Sequence, residues 1–182
     1  MRQDHRHCFI LTGGPGAGKT TLLAHLAGQG IAMMPEAGRG IIRSQMAIGG
    51  RALPWKDRAL FAELMLGWEL RSLSEAATRP GPILFDRGVP DVAGYLTLEG
   101  LEVPAHIRQA AKTHRYNSLV FLAPPWEEIF HTDPERRQDF ETARRTCETM
   151  RRVYTELGYN LVELPCASVP ERADFVRANI GA

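Results

Sequence analysis

The stretch "GGPGAGKTT", Gly13 to Thr21, decides how the rest of the chain is read. Three of its first four residues are glycine, and so is the sixth; one lysine and two threonines follow. Gly13, Gly18, Lys19 and Thr20 satisfy G-x-x-x-x-G-K-[ST] completely. Without Cβ atoms the backbone can turn its N–H groups inward around a phosphate. A helix that starts here points its positive end at the same anion. Lys19 can reach the β- and γ-phosphates, and the Thr20 hydroxyl can ligate Mg²⁺. Gly13, Gly14, Pro15, Gly16, Ala17, Gly18, Lys19, Thr20 and Thr21 are therefore expected to hold ATP with magnesium.

The flanks agree with that reading. "CFILTG" (Cys8 to Gly13) has the continuous apolar character of a buried parallel strand, and Thr20 to Ala27 reads as the helix after the loop. Four further strands are expected: "GIAMMPE" (Gly30 to Glu36), "PILFDRG" (Pro82 to Gly88), "SLVFLAP" (Ser118 to Pro124) and "YNLVELP" (Tyr159 to Pro165). Helices are expected over Trp55 to Thr78, with Leu60, Phe61, Leu64, Met65 and Trp68 at helical spacing, and from near Pro134 to Gly158. Asp133-Pro134 is the start signal for the second of these, and Gly158 its stop. Ser168 and Glu171 can form a capping box for a last helix ending at Ile180. Such alternation predicts an α/β protein with a parallel sheet and its ligand at the strand C-termini.

"ILFDRG" supplies the second acid such a site needs, Asp86, with Arg87 beside it. The neighbouring arginine is expected to keep Asp86 ionised for the metal. Motor ATPases often follow this Asp with Glu; arginine here is more typical of small-molecule kinases.

"GGPGAGKTT" with "DRG" resembles the P-loop kinases, such as adenylate, thymidylate and deoxynucleoside kinases. "PEAGRGII", "LFDRG", "FLAPPWEEIFHTDPERRQDF" and "LGYNLVELP" extend the resemblance to a narrower group, predicted bacterial ATPases with a nicotinamide-riboside-kinase-like AAA domain. The resemblance implies a P-loop NTPase three-layer sandwich of small-kinase type. Its five-stranded parallel sheet carries helices on both faces, in one domain over residues 1–182. An acceptor-side helical insertion would span about 41–78 and a lid about 125–145. It also implies that Glu36 is the general base, with Arg39 one turn on; Asp86 is the alternative base. The lid would bring Arg136, with Arg137 in reserve, onto the transferring phosphoryl group. Spacing places Arg136 seven residues before Ala143, on the stripe of Met150 and Leu157. Arg144 and Arg145 read as a solvated face and His131 as an inert loop residue. Cys166 to Val169 falls where similar kinases hold adenine. Trp55, Trp68 and Trp126 read as packing residues. Arg43, Arg51 and Arg58 are available to an anionic acceptor or are plain surface charge.

Composition bounds these expectations. The chain has 182 residues with 22 basic and 21 acidic side chains, a balance that argues against a general nucleic-acid binder. Cys8, Cys147 and Cys166 are odd in number with no CxxC, which reads as reduced thiols in a cytoplasmic protein. No run approaches the roughly 20 apolar residues of a membrane span. The expected activity is Mg-ATP-dependent phosphoryl transfer to a small-molecule acceptor. ATP or GTP hydrolysis, or a nucleotide-gated binding module, are the alternatives, and oligomeric state is left open.

Overall fold

Buried apolar strands fix the architecture. The computed structural model describes residues 3–130 and 139–182. β2 (Cys8–Gly13) is buried along its whole length and occupies the centre of a five-stranded parallel sheet. β4 (Ile83–Asp86) and β6 (Leu119–Ala123) flank it, and β3 (Ala32–Met34) and β7 (Asn160–Glu163) form the edges. The order is β3-β4-β2-β6-β7, with Ile10 opposite Phe85 on one side and Val120 on the other. β2 therefore ends at the switch point, where a crevice opens beyond the strand C-termini. The expected five-stranded parallel sheet is present.

Helices cover both faces. α1 (Lys19–Gly28) and α7 (Val169–Ile180) pack over Leu11, Leu84 and Phe121 through Leu22, Leu26 and Val176. α3 (Arg58–Ala76), α4 (Val89–Leu98), α5 (Ala105–Thr113) and α6 (Phe140–Glu156) bury Leu66, Leu96, Ile107 and Met150 against Ile10, Phe85 and Val120. α2 (Ala37–Ala47) adds a third cluster with Leu53 and Phe61. The capping box of Ser168 and Glu171 opens α7 as expected.

Several expectations need correction. α3 starts at Arg58 rather than Trp55, because Asp57 caps it by accepting from the Leu60 amide at 3.0 Å. Its buried face runs through Phe61, Ala62, Leu66, Glu69 and Leu73, leaving Leu60 and Leu64 outward. α6 begins at Phe140, not near Pro134: Asp139 is extended and caps the helix by accepting from the Thr142 amide at 2.8 Å. The Asp133-Pro134 signal, His131, Arg136 and Arg137 lie outside the described residues, and a helical stripe starting at Phe140 no longer places Arg136. A second, two-stranded parallel sheet, β1 (Gln3–His5) with β5 (His114–Tyr116), is too short and polar to show in the pattern. α4 was hidden by Pro90 and Gly94. Pro90 sits in the first turn, where its missing N–H costs nothing. Gly94 lets α6 approach, since a Cβ there would meet the Met150 sulfur at 2.5 Å.

Candidate active site

The loop after β2 has the backbone its glycines were expected to provide. Gly13, Gly16 and Gly18 take φ of 132°, 70° and 72°. Gly18 caps α1 in the left-handed conformation, with no side-chain cap and no acid in the first turn. α3, α6 and α7 all have side-chain caps, so α1 alone of these four leaves its positive end to something else. Lys19 lies in that first turn, 8% exposed, and its ammonium donates to the carbonyls of Gly14 at 2.6 Å and Gly13 at 3.3 Å. Thr20 and Thr21 follow on the exposed side of the helix. Ala17 is buried beneath the loop and Pro15 lines the adjoining cavity.

Asp86 ends β4 beside β2, with Leu11 as its register partner. Its Oδ1 is buried with no hydrogen-bond partner among the described residues. Burial raises its proton affinity above the ordinary carboxylate range, opposed by Lys19 and then Arg87. Arg87 was expected to hold Asp86 ionised. Its guanidinium instead bonds Glu36 at 3.4 Å and Asp91 at 3.1 Å, and burial of Asp86 outweighs its field. An orphaned buried carboxylate oxygen facing an ammonium, with a threonine hydroxyl on the neighbouring helix, fits a divalent cation. Among the described residues no cluster of three His, Cys, Asp or Glu offers a metal site by protein ligands alone.

Glu36 stands at the N-cap position of α2 without a side-chain cap bond, is 12% exposed, and pairs with Arg87, which follows Asp86 in the chain. Its other oxygen meets Arg39 Nε at 3.3 Å. Arg87 is the one described non-glycine residue with positive φ, 75°. Such strain persists only where surroundings hold it. Burial works against the Arg87 charge, but Glu36, Asp91 and Asp86 outweigh it and hold the guanidinium's proton more firmly than usual.

Asp91 was not anticipated. It accepts from Thr12 Oγ1 and Tyr154 Oη, both at 2.5 Å, from the Gly88 amide at 3.0 Å and from Arg87. Its place four residues after Arg87, behind Pro90, is a helix-start signal that could have marked it. Glu69, from α3, was also missed. It is 3% exposed, and burial raises its carboxyl well above the usual range, reinforced by Asp91, Asp86 and Glu36.

Glu36, Glu69, Arg87 and Asp91 line a cavity of about 140 Å³ beside the loop, walled by Trp55, Phe61, Tyr95 and Met65. Trp55 is a half-exposed rim residue rather than packing, whereas Trp68 packs against Gly40. Arg43 is exposed, Arg51 pairs with Asp57, and Arg58 pairs with Glu99 on the cavity rim; none of the three arginines lines the cavity itself. Arg144 and Arg145 are solvated as expected. Among the described residues no helix is long and apolar enough to cross a membrane.

A family model described as an AAA domain matches residues 8–172. No curated protein matches at the sequence level. Among solved structures, NadR in complex with NR is similar over 96% of this chain, at TM-score 0.67 and 21% identity; this chain spans 52% of that one. Deoxyadenosine kinase from M. mycoides with bound dATP gives TM-score 0.58 and 13% identity, with 96% and 100% of the two chains covered. Shikimate kinase from Acinetobacter baumannii in complex with shikimate gives 0.54 and 17%, with 96% and 93% covered. The chain spans about half the length of the NadR chains it matches. By the match over residues 8–172 the chain belongs to the AAA-domain family, with the fold of a P-loop NTPase of small-kinase type.

Proposed function

We propose that this protein transfers the γ-phosphoryl group of Mg-ATP to a hydroxyl of a small, uncharged or cationic acceptor carrying a flat ring, a nucleoside- or riboside-like molecule. The observation that carries the reading is the contiguity of three parts. The phosphate loop with Lys19, the orphaned Asp86 oxygen and a ring-walled cavity with Glu36 at its edge adjoin one another.

The loop, with residues 13–21, would hold the triphosphate, and Lys19 would exchange its carbonyl partners for phosphate oxygens. Thr20 and Asp86 would hold magnesium, which supplies charge neutralisation on the phosphates when bound. Glu36 takes the acceptor's hydroxyl proton as its oxygen attacks the γ-phosphorus and ADP leaves. Arg87, fixed between Glu36 and Asp91, steadies the phosphoryl group. Arg136 remains the sequence candidate for a further arginine on that group.

Charge selects the acceptor class. Glu36 and Asp91 stand at the site against Arg87 and Arg39, while burial pushes the carboxyls of Glu69 and Asp86 toward their neutral forms. Arg43, Arg51 and Arg58, which the sequence left either available to an anionic acceptor or as surface charge, do not line the cavity, and this favours an acceptor without negative charge. The likeness to a structure holding NR and to a deoxyadenosine kinase supports the same class.

The test is ADP production from Mg-ATP with nucleosides, ribosides, nucleotides and shikimate-like acids as acceptors. Acceleration by nucleosides or ribosides supports the reading; a rate that no acceptor raises points to hydrolysis. Glu36→Gln should keep ATP binding within about twofold and lower transfer by roughly 10²- to 10⁴-fold. Retained transfer would move the base to Asp86 or water.

A further inference from the structure

Arg172 lies in the first turn of α7, 2% exposed, directly beneath the phosphate loop. Its Nη2 donates to the Ala17 carbonyl at 3.0 Å. Its Nη1 would stand 2.7 Å from a Cβ at Gly18, so that glycine admits the guanidinium as well as turning the chain. Trp126 covers it, with 5.9 Å from Cζ to the ring centroid. Nε is buried and has no hydrogen-bond partner among the described residues.

The Ala17 carbonyl and the Trp126 ring offset the charge only in part. No carboxylate pairs with Arg172 among the described residues. Glu171, next in the chain, is turned to the Ser168 hydroxyl at 2.5 Å and amide at 3.0 Å. The two helix ends at hand, those of α1 and α7, are both N-termini and so electropositive. A guanidinium does not shed its proton in a protein. Desolvation pulls its proton affinity down, which marks an environment unfavourable to the cation. Arg87, by contrast, is buried between Glu36 and Asp91. A buried cation with a carbonyl and a ring but no carboxylate among its described partners is costly, and a nearby anion would relieve that cost.

We propose that Arg172 is a second cation of the phosphate site. It acts from below, through its field and its hold on the Ala17–Gly18 backbone, and its counter-charge is the polyphosphate of the bound nucleotide. It does not touch the ligand and is a positioning residue. The proposal rests on the nucleotide-binding reading above, and adds to it that the site's affinity is built on two cations, Lys19 in the loop and Arg172 behind it.

Calorimetry on the full chain with Mg²⁺ and three probes tests this: a non-hydrolysable ATP analogue, ADP and inorganic tripolyphosphate. The proteins are wild type, Arg172→Met and Arg172→Lys, each with its unliganded melting temperature. Arg172→Met should weaken the ATP analogue on the order of tenfold, ADP by less, and tripolyphosphate clearly. It should leave unliganded stability equal or higher, since a buried charge compensated only in part is gone. Arg172→Lys should recover most of the affinity. Wild-type affinity in Arg172→Met overturns the proposal. So does an equal loss for ATP analogue and ADP with tripolyphosphate unaffected, which would indicate a contact to the base. A lower melting temperature with unchanged affinity would make Arg172 a packing residue. If the wild type binds none of the probes, the nucleotide reading fails together with this one.

Discussion

At the scale of single residues, Asp91 does the most to shape the candidate site. It gathers Thr12, Tyr154, the Gly88 amide and Arg87 at one carboxylate. Asp91→Asn keeps the shape and removes the charge opposite Arg87. It should destabilise the fold by about 3 kcal/mol in chemical denaturation. Glu75→Gln, which removes an exposed pair with Arg71, should cost less than about 0.5 kcal/mol. Equal effects would contradict the geometry. Glu69 makes a prediction about pH. Its carboxyl is raised in the folded state, so the folded chain holds the proton more tightly than the unfolded chain does. That contribution is complete below the ordinary carboxylate range and is lost as pH climbs through the raised value. Unliganded wild type should therefore melt lower at about pH 8 than at about pH 5, and Glu69→Gln should flatten the difference. An unchanged pH profile in Glu69→Gln would show that the carboxyl is not buried as described.

At the scale of elements, the turn from β2 into α1 rests on conformations that side chains resist. Gly13 combines a φ of 132° with a neighbouring backbone, the Ala123 carbonyl, that cannot give way. Gly13→Ala should cost about 1–3 kcal/mol or more and weaken nucleotide binding. Gly28→Ala, at the end of α1 with open space around it, should be neutral or stabilising by up to about 1 kcal/mol. This turn was legible in the sequence because its determinants are contiguous: the glycines, the lysine and the threonine act on each other within eight residues. The five core strands were legible because burial on both faces makes them apolar without interruption. α4 and the true start of α6 were not, because Pro90 and Asp139 act by position within a helix, which composition does not reveal. The pair β1 and β5 depends on residues more than a hundred positions apart.

For the whole molecule, the sheet order places a carboxyl-rich group of side chains on one side of the phosphate loop and a buried arginine on the other. Glu36, Glu69 and Asp91 line the ring-walled cavity, while Arg172 and two helix N-termini lie behind and below the loop. Neither side could be read from one segment: Asp91 meets Tyr154 across 63 positions, and Arg172 meets Ala17 across 155. The sequence named Lys19, Asp86, Glu36 and Arg87, and the fold joins Glu36 to Arg87 directly. The account stands on the loop gripping a polyphosphate. Its most direct test is isothermal titration of the purified chain with a non-hydrolysable ATP analogue and Mg²⁺, beside Lys19→Ala. One saturable site per wild-type chain, with binding abolished in Lys19→Ala, is the expected result. No heat from the wild type, or equal binding by Lys19→Ala, would contradict it.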